Sequence, residues 1–210
     1  MTTPAAVIFD YGCVLSLPQE REDVQRLASV LGAPADEVDR VMWKHRMPYD
    51  RADLSATEYW NMVAAECSRT LTRDQIESIL EIDARSWARP HPATPHWVAQ
   101  MRAAGLRTAI LSNMPLPIRE YLDAECAWLP QFDQRTFSCD VRCAKPEREI
   151  FVHCLEGLGA EPGEALFLDD REENVRAAEE LGIQTVLFTS AEEAAWELER
   201  RFSIRLTTLR

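Results

Sequence analysis

Short apolar runs alternate with amphipathic stretches along most of the chain. Five runs bounded by turn-forming or charged residues predict buried β-strands, at residues 5–10, 106–112, 136–141, 165–169 and 185–188. Helical spacing of apolar residues follows at residues 95–104, 117–126, 147–158, 172–181 and 191–201. This alternation predicts an α/β fold, a doubly wound (Rossmann-like) parallel sheet of about five strands with helices on both faces.

The alternation stops after the first predicted strand. Four helical patterns without a convincing strand lie at residues 20–31, 35–45, 55–68 and 72–87. The third begins with a capping-box pattern, Ser55 with Glu58, and Thr72 opens the fourth. We therefore expect residues 1–15 and 93–210 to form the α/β core, and residues 16–92 to form an inserted helical cap above the ligand-binding edge of the sheet.

Composition and charge limit the class of protein and of partner. The chain has 210 residues, 46% hydrophobic and 28% charged, which is typical of a globular protein that needs no disulfide to hold a core. Its net charge of -12 disfavours binding to nucleic acid or to an anionic membrane. A small anionic substrate stays compatible with that charge if a bound cation, Lys or Arg provides a local positive centre.

The amino-terminal residues and the cysteines indicate a cytoplasmic protein. No basic segment followed by an apolar one occurs at the start, and no apolar run approaches the roughly 18 residues that span a membrane. Six cysteines are scattered without a C-x-x-C pair, which predicts reduced thiols. Cys139 and Cys143 resemble half of a zinc site, but no second pair follows, so packing is the favoured interpretation. The sequence does not distinguish a monomer from a dimer.

Polar residues stand at the ends of the first two predicted strands. Asp10 ends the first strand and Gly12 permits a turn, so Asp10 is a candidate nucleophile or metal ligand, or simply a surface carboxylate. Ser112 and Asn113 end the next strand, where they could donate to an anion, although both residue types also favour turns.

Two further candidates lie later in the chain. Lys145 precedes Pro146, which we expect at the first position of a helix, and it is one of only two lysines in the chain. Asp169 and Asp170 end a buried strand, where adjacent carboxylates favour Mg²⁺, although Asp170 is also a candidate helix N-cap. Because the ends of parallel strands share one edge of the sheet, these residues together predict one site.

These residues resemble the motifs of the haloacid dehalogenase-like hydrolase superfamily over nearly the whole chain. The segments I-F-D-Y-G-C-V-L, L-S-N, K-P-E-x-x-I-F and F-L-D-D-R-E-E-N-V-x-A-A are most similar to one phosphatase branch. That branch includes α-D-glucose-1-phosphate phosphatase-like enzymes and the amino-terminal phosphatase domain of soluble epoxide hydrolase.

The resemblance implies a role for each motif residue. Asp10 would be the nucleophile that forms an aspartyl-phosphate, and Asp10, Asp170 and the Gly12 carbonyl would bind Mg²⁺, with Asp169 acting through a water or positioning Asp170. Ser112 and Asn113 would bind phosphoryl oxygens, Lys145 would neutralise charge, and Asn174 would support the fourth motif.

Gly12 departs from the family pattern, which usually has an Asp two residues after the nucleophile. That Asp protonates the leaving group, and general acid–base groups contribute roughly a hundredfold to ten-thousandfold. Another group could replace it, the substrate could have a good leaving group, or turnover could be weak. The similar glucose-1-phosphate branch also lacks this Asp.

Residues 44–53 connect two predicted cap helices and resemble a substrate-specificity loop. His45, Arg46, Tyr49 and Arg51 are candidates for contacts to a sugar or a second anion, and a solvated connection is the alternative for each. The tryptophans are assigned to packing.

The sequence predicts a Mg²⁺-dependent phosphatase for a small phosphorylated metabolite, with sugar phosphates among the substrates considered. One rival is a metal-independent 2-haloacid dehalogenase, disfavoured by the Asp169–Asp170 pair. The other is a phosphate-binding protein that has lost catalysis at Gly12.

Overall fold

The computed structural model describes residues 4–207 and contains a five-stranded parallel sheet with the strand order β3-β2-β1-β4-β5. Its strands are β1 (Ala6–Phe9), β2 (Arg107–Ser112), β3 (Gln134–Phe137), β4 (Ala165–Asp169) and β5 (Gln184–Leu187). Phe9 of β1 is in register with Ile110 of β2 on one side and with Leu168 of β4 on the other. The predicted doubly wound α/β fold is confirmed.

Eleven α-helices accompany the sheet within the described residues. Six helices lie between β1 and β2, and the first five form the insertion: α1 (Arg21–Leu31), α2 (Ala35–Lys44), α3 (Arg46–Asp50), α4 (Ala56–Glu66) and α5 (Arg73–Ser86). The others are α6 (Thr94–Ala103), α7 (Leu116–Glu125), α8 (Ser138–Val141), α9 (Arg148–Leu158), α10 (Glu172–Glu180) and α11 (Ala191–Phe202). The predicted helices are present with ends that differ by a few residues, and α3 and α8 were not predicted.

The sheet buries both of its faces. Side chains alternate along β1, so Val7 and Phe9 belong to one apolar cluster while Ala6 and Ile8 belong to the other. The first cluster includes residues of α6, α7 and α11, and the second includes residues of α9 and α10. Burial on both sides explains why β1 and β4 are continuous apolar runs in the sequence.

The inserted helices bury an apolar cluster of their own. Leu27, Val41, Trp60 and Ile79 are completely buried there, each from a different long helix of the insertion. Two of these helices begin at caps that were predicted. The Ser55 hydroxyl accepts from the Glu58 amide at 3.3 Å, and the Thr72 hydroxyl accepts from the Gln75 amide at 3.3 Å.

The prediction of the third strand at residues 136–141 was wrong by two residues at its start and four at its end. β3 begins at Gln134, and residues Ser138–Val141 form the short helix α8. β3 is an edge strand whose first two residues are only partly buried, so it lacks a continuous apolar signal. The Ser138 hydroxyl is committed to tertiary contacts, because it donates to the Asp50 carbonyl at 2.6 Å and accepts from the Met114 amide at 2.9 Å.

Two predicted helix starts also differ. Helix α9 begins at Arg148 with Glu147 as its N-cap, so Pro146 lies before the helix and not at its first position. Helix α10 is preceded by Arg171, so Asp170 is not the N-cap.

Within residues 4–207, none of the helices has the length and apolar character that crossing a membrane requires. All six cysteines are free thiols, and Cys67, Cys126, Cys139 and Cys154 are buried.

Candidate functional site

Three of the predicted residues lie at the carboxyl edge of the sheet. Asp10 directly follows β1, Ser112 is the last residue of β2, and Asp169 is the last residue of β4. Lys145 does not follow a strand directly, because α8 lies between it and β3. It comes from the loop between α8 and α9, which brings its side chain back to the same edge.

The ammonium group of Lys145 joins two of these carboxylates. Its Nζ lies 2.8 Å from Asp10 Oδ1 and 2.6 Å from Asp169 Oδ2, and the lysine is only 2% exposed. Burial acts to lower the pKa of Lys145, but the charges of Asp10 and Asp169 outweigh burial and raise that pKa above its ordinary value. Lys145 is therefore a charged ammonium group at neutral pH.

Asp169 is held by donors on both of its oxygens. Oδ1 accepts from the Arg171 amide at 2.8 Å, and the Asn174 amide group lies 3.0 Å and 3.1 Å from the two oxygens. Asp169 is fully buried and Asn174 nearly so. Together with Lys145, these donors fix the orientation of the Asp169 carboxylate.

Asp10 is oriented through one oxygen. The Tyr11 amide donates to Oδ1 at 2.6 Å, which is also the oxygen that contacts Lys145. Burial raises the pKa of Asp10 to about 7, with Lys145 opposing the increase and the charges of Asp169 and Asp170 adding to it.

Asp170 completes a cluster of three carboxylates. One oxygen from each of Asp10, Asp169 and Asp170 lies within 4.8 Å of the others. Desolvation raises the pKa of Asp170, and the charge of Asp169 adds to the increase. Carboxylates this close repel one another, so a cation beyond Lys145 would relieve them, and hard divalent cations prefer such oxygens.

Ser112, which ends β2, and Asn113, which follows it, differ in their contacts. Ser112 is 2% exposed and lines the cavity beside Asp10. The Asn113 side chain instead forms two hydrogen bonds with the Lys145 backbone, accepting from its amide and donating to its carbonyl, both at 2.8 Å. Asn113 therefore positions the loop that carries Lys145.

A cavity of about 540 Å³ opens above these groups. Asp10, Gly12, Ser112, Lys145 and Asp170 line it on the sheet side. The inserted helices contribute Trp43, Arg46, Met47, Asp50 and Trp87. The Tyr11 hydroxyl donates to the Trp87 carbonyl at 3.0 Å, which ties the turn after Asp10 to the end of α5.

Of the four candidates in residues 44–53, only Arg46 lines this cavity. Its guanidinium is buried between Asp50 at 2.7 Å and Asp83 at 3.5 Å. Tyr49 is buried and stacks on Tyr59, with ring centroids 4.1 Å apart. Residues Arg46–Asp50 form α3, where Arg46 and Tyr49 are buried, so the solvated connection considered as the alternative does not describe these two residues.

The remaining two candidates form ion pairs elsewhere. His45 Nε2 lies 2.7 Å from Glu66. Arg51 contacts Asp53 at 2.6 Å and Glu147 at 2.8 Å, so it links the inserted helices to the residue that caps α9.

Sequence reasoning missed most of the apolar wall of the cavity. Its members include Trp43, Met47, Trp87, Met114 and Ile118. Trp43 directly precedes residues 44–53, and this position was the available signal in the sequence. In the structure, Trp43 is 49% exposed. Trp87 and Ile118 lie at or in helices, where packing is the ordinary expectation for apolar side chains.

Curated relatives match half of the chain or more. Acyl-CoA dehydrogenase family member 10 of Mus musculus is 38% identical over 51% of this chain, and bifunctional epoxide hydrolase 2 of Sus scrofa is 33% identical over 50% of it. These matches cover 10% and 20% of those two proteins, so the chain spans a small part of the relatives. A phosphatase of Mycobacterium tuberculosis is 25% identical, over 87% of this chain and 86% of its own length.

Solved structures share the fold. A HAD-like family hydrolase of Porphyromonas gingivalis superposes with a TM-score of 0.74 at 22% identity, covering 95% of this chain and 99% of that one. A HAD family enzyme of Bacteroides thetaiotaomicron, in complex with magnesium and inorganic phosphate, gives a TM-score of 0.63 at 20% identity, covering 87% and 93%. A family model of haloacid dehalogenase-like hydrolases matches residues 17–182, so this chain belongs to the haloacid dehalogenase-like hydrolase family.

Proposed function

We propose that this chain is a Mg²⁺-dependent phosphatase that hydrolyses small phosphate monoesters, with Asp10 as the nucleophile. The observation that carries the proposal is the position of the Lys145 ammonium between Asp10 and Asp169, with Asp170 in the same carboxylate cluster. The phosphatase relative that covers most of this chain, and the similar fold crystallised with magnesium and phosphate, support it.

The residues at the sheet edge suit a hard divalent cation. Three carboxylates lie within 4.8 Å of one another, and the raised pKa values of Asp10 and Asp170 reflect burial and mutual repulsion. Asp10, Asp170 and the backbone carbonyl of Gly12 would hold Mg²⁺, while Asp169 would keep Lys145 and the neighbouring chain in position. When bound, Mg²⁺ would supply positive charge against the repulsion between a carboxylate and a phosphate dianion.

The contacts of Asp10 suit nucleophilic attack. Lys145 and the Tyr11 amide both hold Oδ1, which leaves Oδ2 as the attacking oxygen. A bond would form between Oδ2 and phosphorus as the ester P–O bond breaks, giving an aspartyl-phosphate and an alkoxide that takes a proton from solvent to become the free alcohol. Water would then attack phosphorus and lose a proton to solvent as the bond between phosphorus and Oδ2 breaks, releasing inorganic phosphate and the Asp10 carboxylate.

The surrounding residues would stabilise charge and orientation. Ser112 would donate its hydroxyl hydrogen to a phosphoryl oxygen, and Lys145 would neutralise part of the charge that gathers there. Asn113 would act through the Lys145 backbone, and Asn174 through Asp169. We further propose that residues 16–92 act as a cap, because their helices form one wall of the cavity.

Phosphate release from a panel of esters tests this proposal. The panel contains p-nitrophenyl phosphate, acetyl phosphate, glucose-1-phosphate and glucose-6-phosphate, each with Mg²⁺ or with EDTA. We expect release that requires Mg²⁺ and is lost in Asp10→Asn, whereas Asp36→Asn, at an exposed carboxylate in α2, retains it. Release that persists in EDTA or in Asp10→Asn would contradict the proposal, and halide release from 2-chloropropionate in EDTA would favour a dehalogenase.

A further inference from the structure

The cavity beside the carboxylate cluster has an apolar wall. Trp43 from α2, Met47 from α3 and Trp87 at the end of α5 line it, and Met114 and Ile118 add to it from the core. The rings of Trp43 and Trp87 meet edge to face, with centroids 6.3 Å apart. Aromatic and thioether side chains of this kind bind apolar surface through desolvation and dispersion.

Each cationic side chain that lines the cavity forms an ion pair with a carboxylate. The three pairs are Arg46 with Asp50 at 2.7 Å, Lys145 with Asp10 at 2.8 Å, and Arg171 with Glu173 at 2.6 Å. Asp10, Asp50 and Asp170 also line the cavity, so acidic and basic side chains are equal in number. A substrate with a second anionic group would find no uncompensated positive charge there.

On the side of the inserted helices, Arg46 and Asp50 are the charged side chains that line the cavity, and the polar groups near this wall are already hydrogen-bonded. The Tyr11 hydroxyl is hydrogen-bonded to the Trp87 carbonyl, and Arg46 and Asp50 are paired with each other. A sugar ring buried against such a wall would lose hydrogen bonds to water without replacing them.

We infer that the substrates of this site are phosphate monoesters whose organic group is uncharged and apolar, either aliphatic or aromatic. The inference rests on the proposed phosphatase function and specifies its substrate class. The phosphoryl group would lie against Asp10 and Lys145, and the organic group against Trp43, Met47 and Trp87. Sugar phosphates, which the motif resemblance had suggested, would be poor substrates.

A series of alkyl phosphates tests the inference at constant charge and nearly constant leaving-group chemistry. With Mg²⁺, we expect kcat/KM to rise from ethyl through butyl to hexyl phosphate, since each methylene buried on an apolar wall is worth up to about fourfold. Glucose-6-phosphate should rank below hexyl phosphate. Equal values along the series, or a preference for glucose-6-phosphate, would overturn the inference while leaving the phosphatase function intact.

Two tryptophan variants locate the effect. Trp43→Ala should weaken the dependence of kcat/KM on alkyl chain length, because it removes an apolar side chain from the cavity wall. Trp43 is half exposed, so the substitution leaves no void in the core. Trp196→Ala is the matched control, since Trp196 is 59% exposed on α11 and does not line the cavity. A Trp43→Ala protein with unchanged chain-length dependence would contradict the assignment of this wall.

Phosphonates separate the inference from catalysis, because their P–C bond is not hydrolysed. Calorimetry with Mg²⁺ should show hexylphosphonate binding more tightly than ethylphosphonate. Tighter binding without turnover of any ester would refute the phosphatase function and retain the apolar site. Equal binding of the two phosphonates would refute the apolar site.

Discussion

The Lys145 ammonium lies 2.8 Å from the Asp10 carboxylate, although 134 residues separate the two in the sequence. Both are buried, and Asp169 lies on the other side of Lys145 at 2.6 Å. One cation therefore compensates two buried carboxylates. This arrangement makes the site sensitive to the loss of Lys145, and it leaves negative charge that a metal ion could neutralise.

Replacing Lys145 by methionine should destabilise the fold as well as the site. Removing one member of a buried ion pair costs about 3–5 kcal/mol, because the remaining charge stays buried without a partner. Urea unfolding of Lys145→Met in EDTA measures this cost. Lys44→Met is the matched control, since Lys44 is the chain's other lysine and pairs with Glu66 at an exposed position, where the expected loss is about 0–1 kcal/mol. Equal stability of the two variants would show that Lys145 does not compensate the carboxylates.

The stability of the metal-free protein should depend on pH through Asp10. Its pKa is raised from 3.8 to about 7, so the folded protein holds this proton more tightly than the unfolded chain does. The stability from this group is complete below pH about 4 and is lost as the pH rises through about 7. In EDTA, the free energy of unfolding of the wild type should therefore fall, relative to that of Asp10→Asn, over this interval. A constant difference between the two proteins would contradict the raised pKa.

Asn174 should contribute to stability and to phosphate release through its hydrogen bonds to Asp169. It is buried, and its amide group contacts both carboxylate oxygens. Asn174→Ala leaves Asp169 with fewer donors, which we expect to cost about 1–3 kcal/mol in the free energy of unfolding. Phosphate release should fall too, with kcat affected more than KM, because the orientation of Lys145 is loosened. Asn61→Ala, at an exposed position in α4, should change neither quantity.

Arg46 should matter for stability, despite its position beside the cavity. Its guanidinium lies between the buried Asp50 and Asp83, so Arg46→Met leaves two carboxylates uncompensated and should cost about 3–5 kcal/mol. Arg40→Met provides the comparison, because Arg40 is 62% exposed and lies 3.7 Å from Glu66. Thermal or urea unfolding checks both variants. A specific increase in KM without loss of stability would instead assign Arg46 to substrate binding.

Gly12→Asp should add a general acid at the position where the family usually has one. A β-carbon at Gly12 would meet its nearest neighbour, in the Trp87 ring, at 3.6 Å, an ordinary contact. With Mg²⁺, hydrolysis of ethyl phosphate should increase, by roughly a hundredfold if the carboxyl group protonates the alkoxide. Gly12→Asn has the same shape without the acid and should give no increase. If both variants lose activity equally, the position does not admit a general acid.

Local sequence signals were sufficient for the elements that carry the carboxylates. β1 and β4 are buried on both faces, so each is an uninterrupted apolar run, and Asp10 and Asp169 stand at their ends. The starts of two inserted helices, α4 and α5, were recognisable because Ser55 and Thr72 cap them through contacts with residues three positions later. The edge strand β3 was misplaced because its partly buried polar residues, Gln134 and Arg135, lack that apolar signal.

The tertiary structure decided which side chains meet. Arg46 faces the cavity while Tyr49, three residues later, packs on Tyr59, and neighbouring sequence does not distinguish the two. The side chain of Asn113 is committed to the Lys145 backbone, and Trp43 meets Trp87 across the insertion. Strand runs, helix caps and the motif carboxylates depend on neighbours within a few residues, so the sequence alone determined them. Contacts between distant segments depend on how the helices pack over the sheet, so the wall of the cavity, and with it the substrate class inferred from that wall, emerged only from the folded chain.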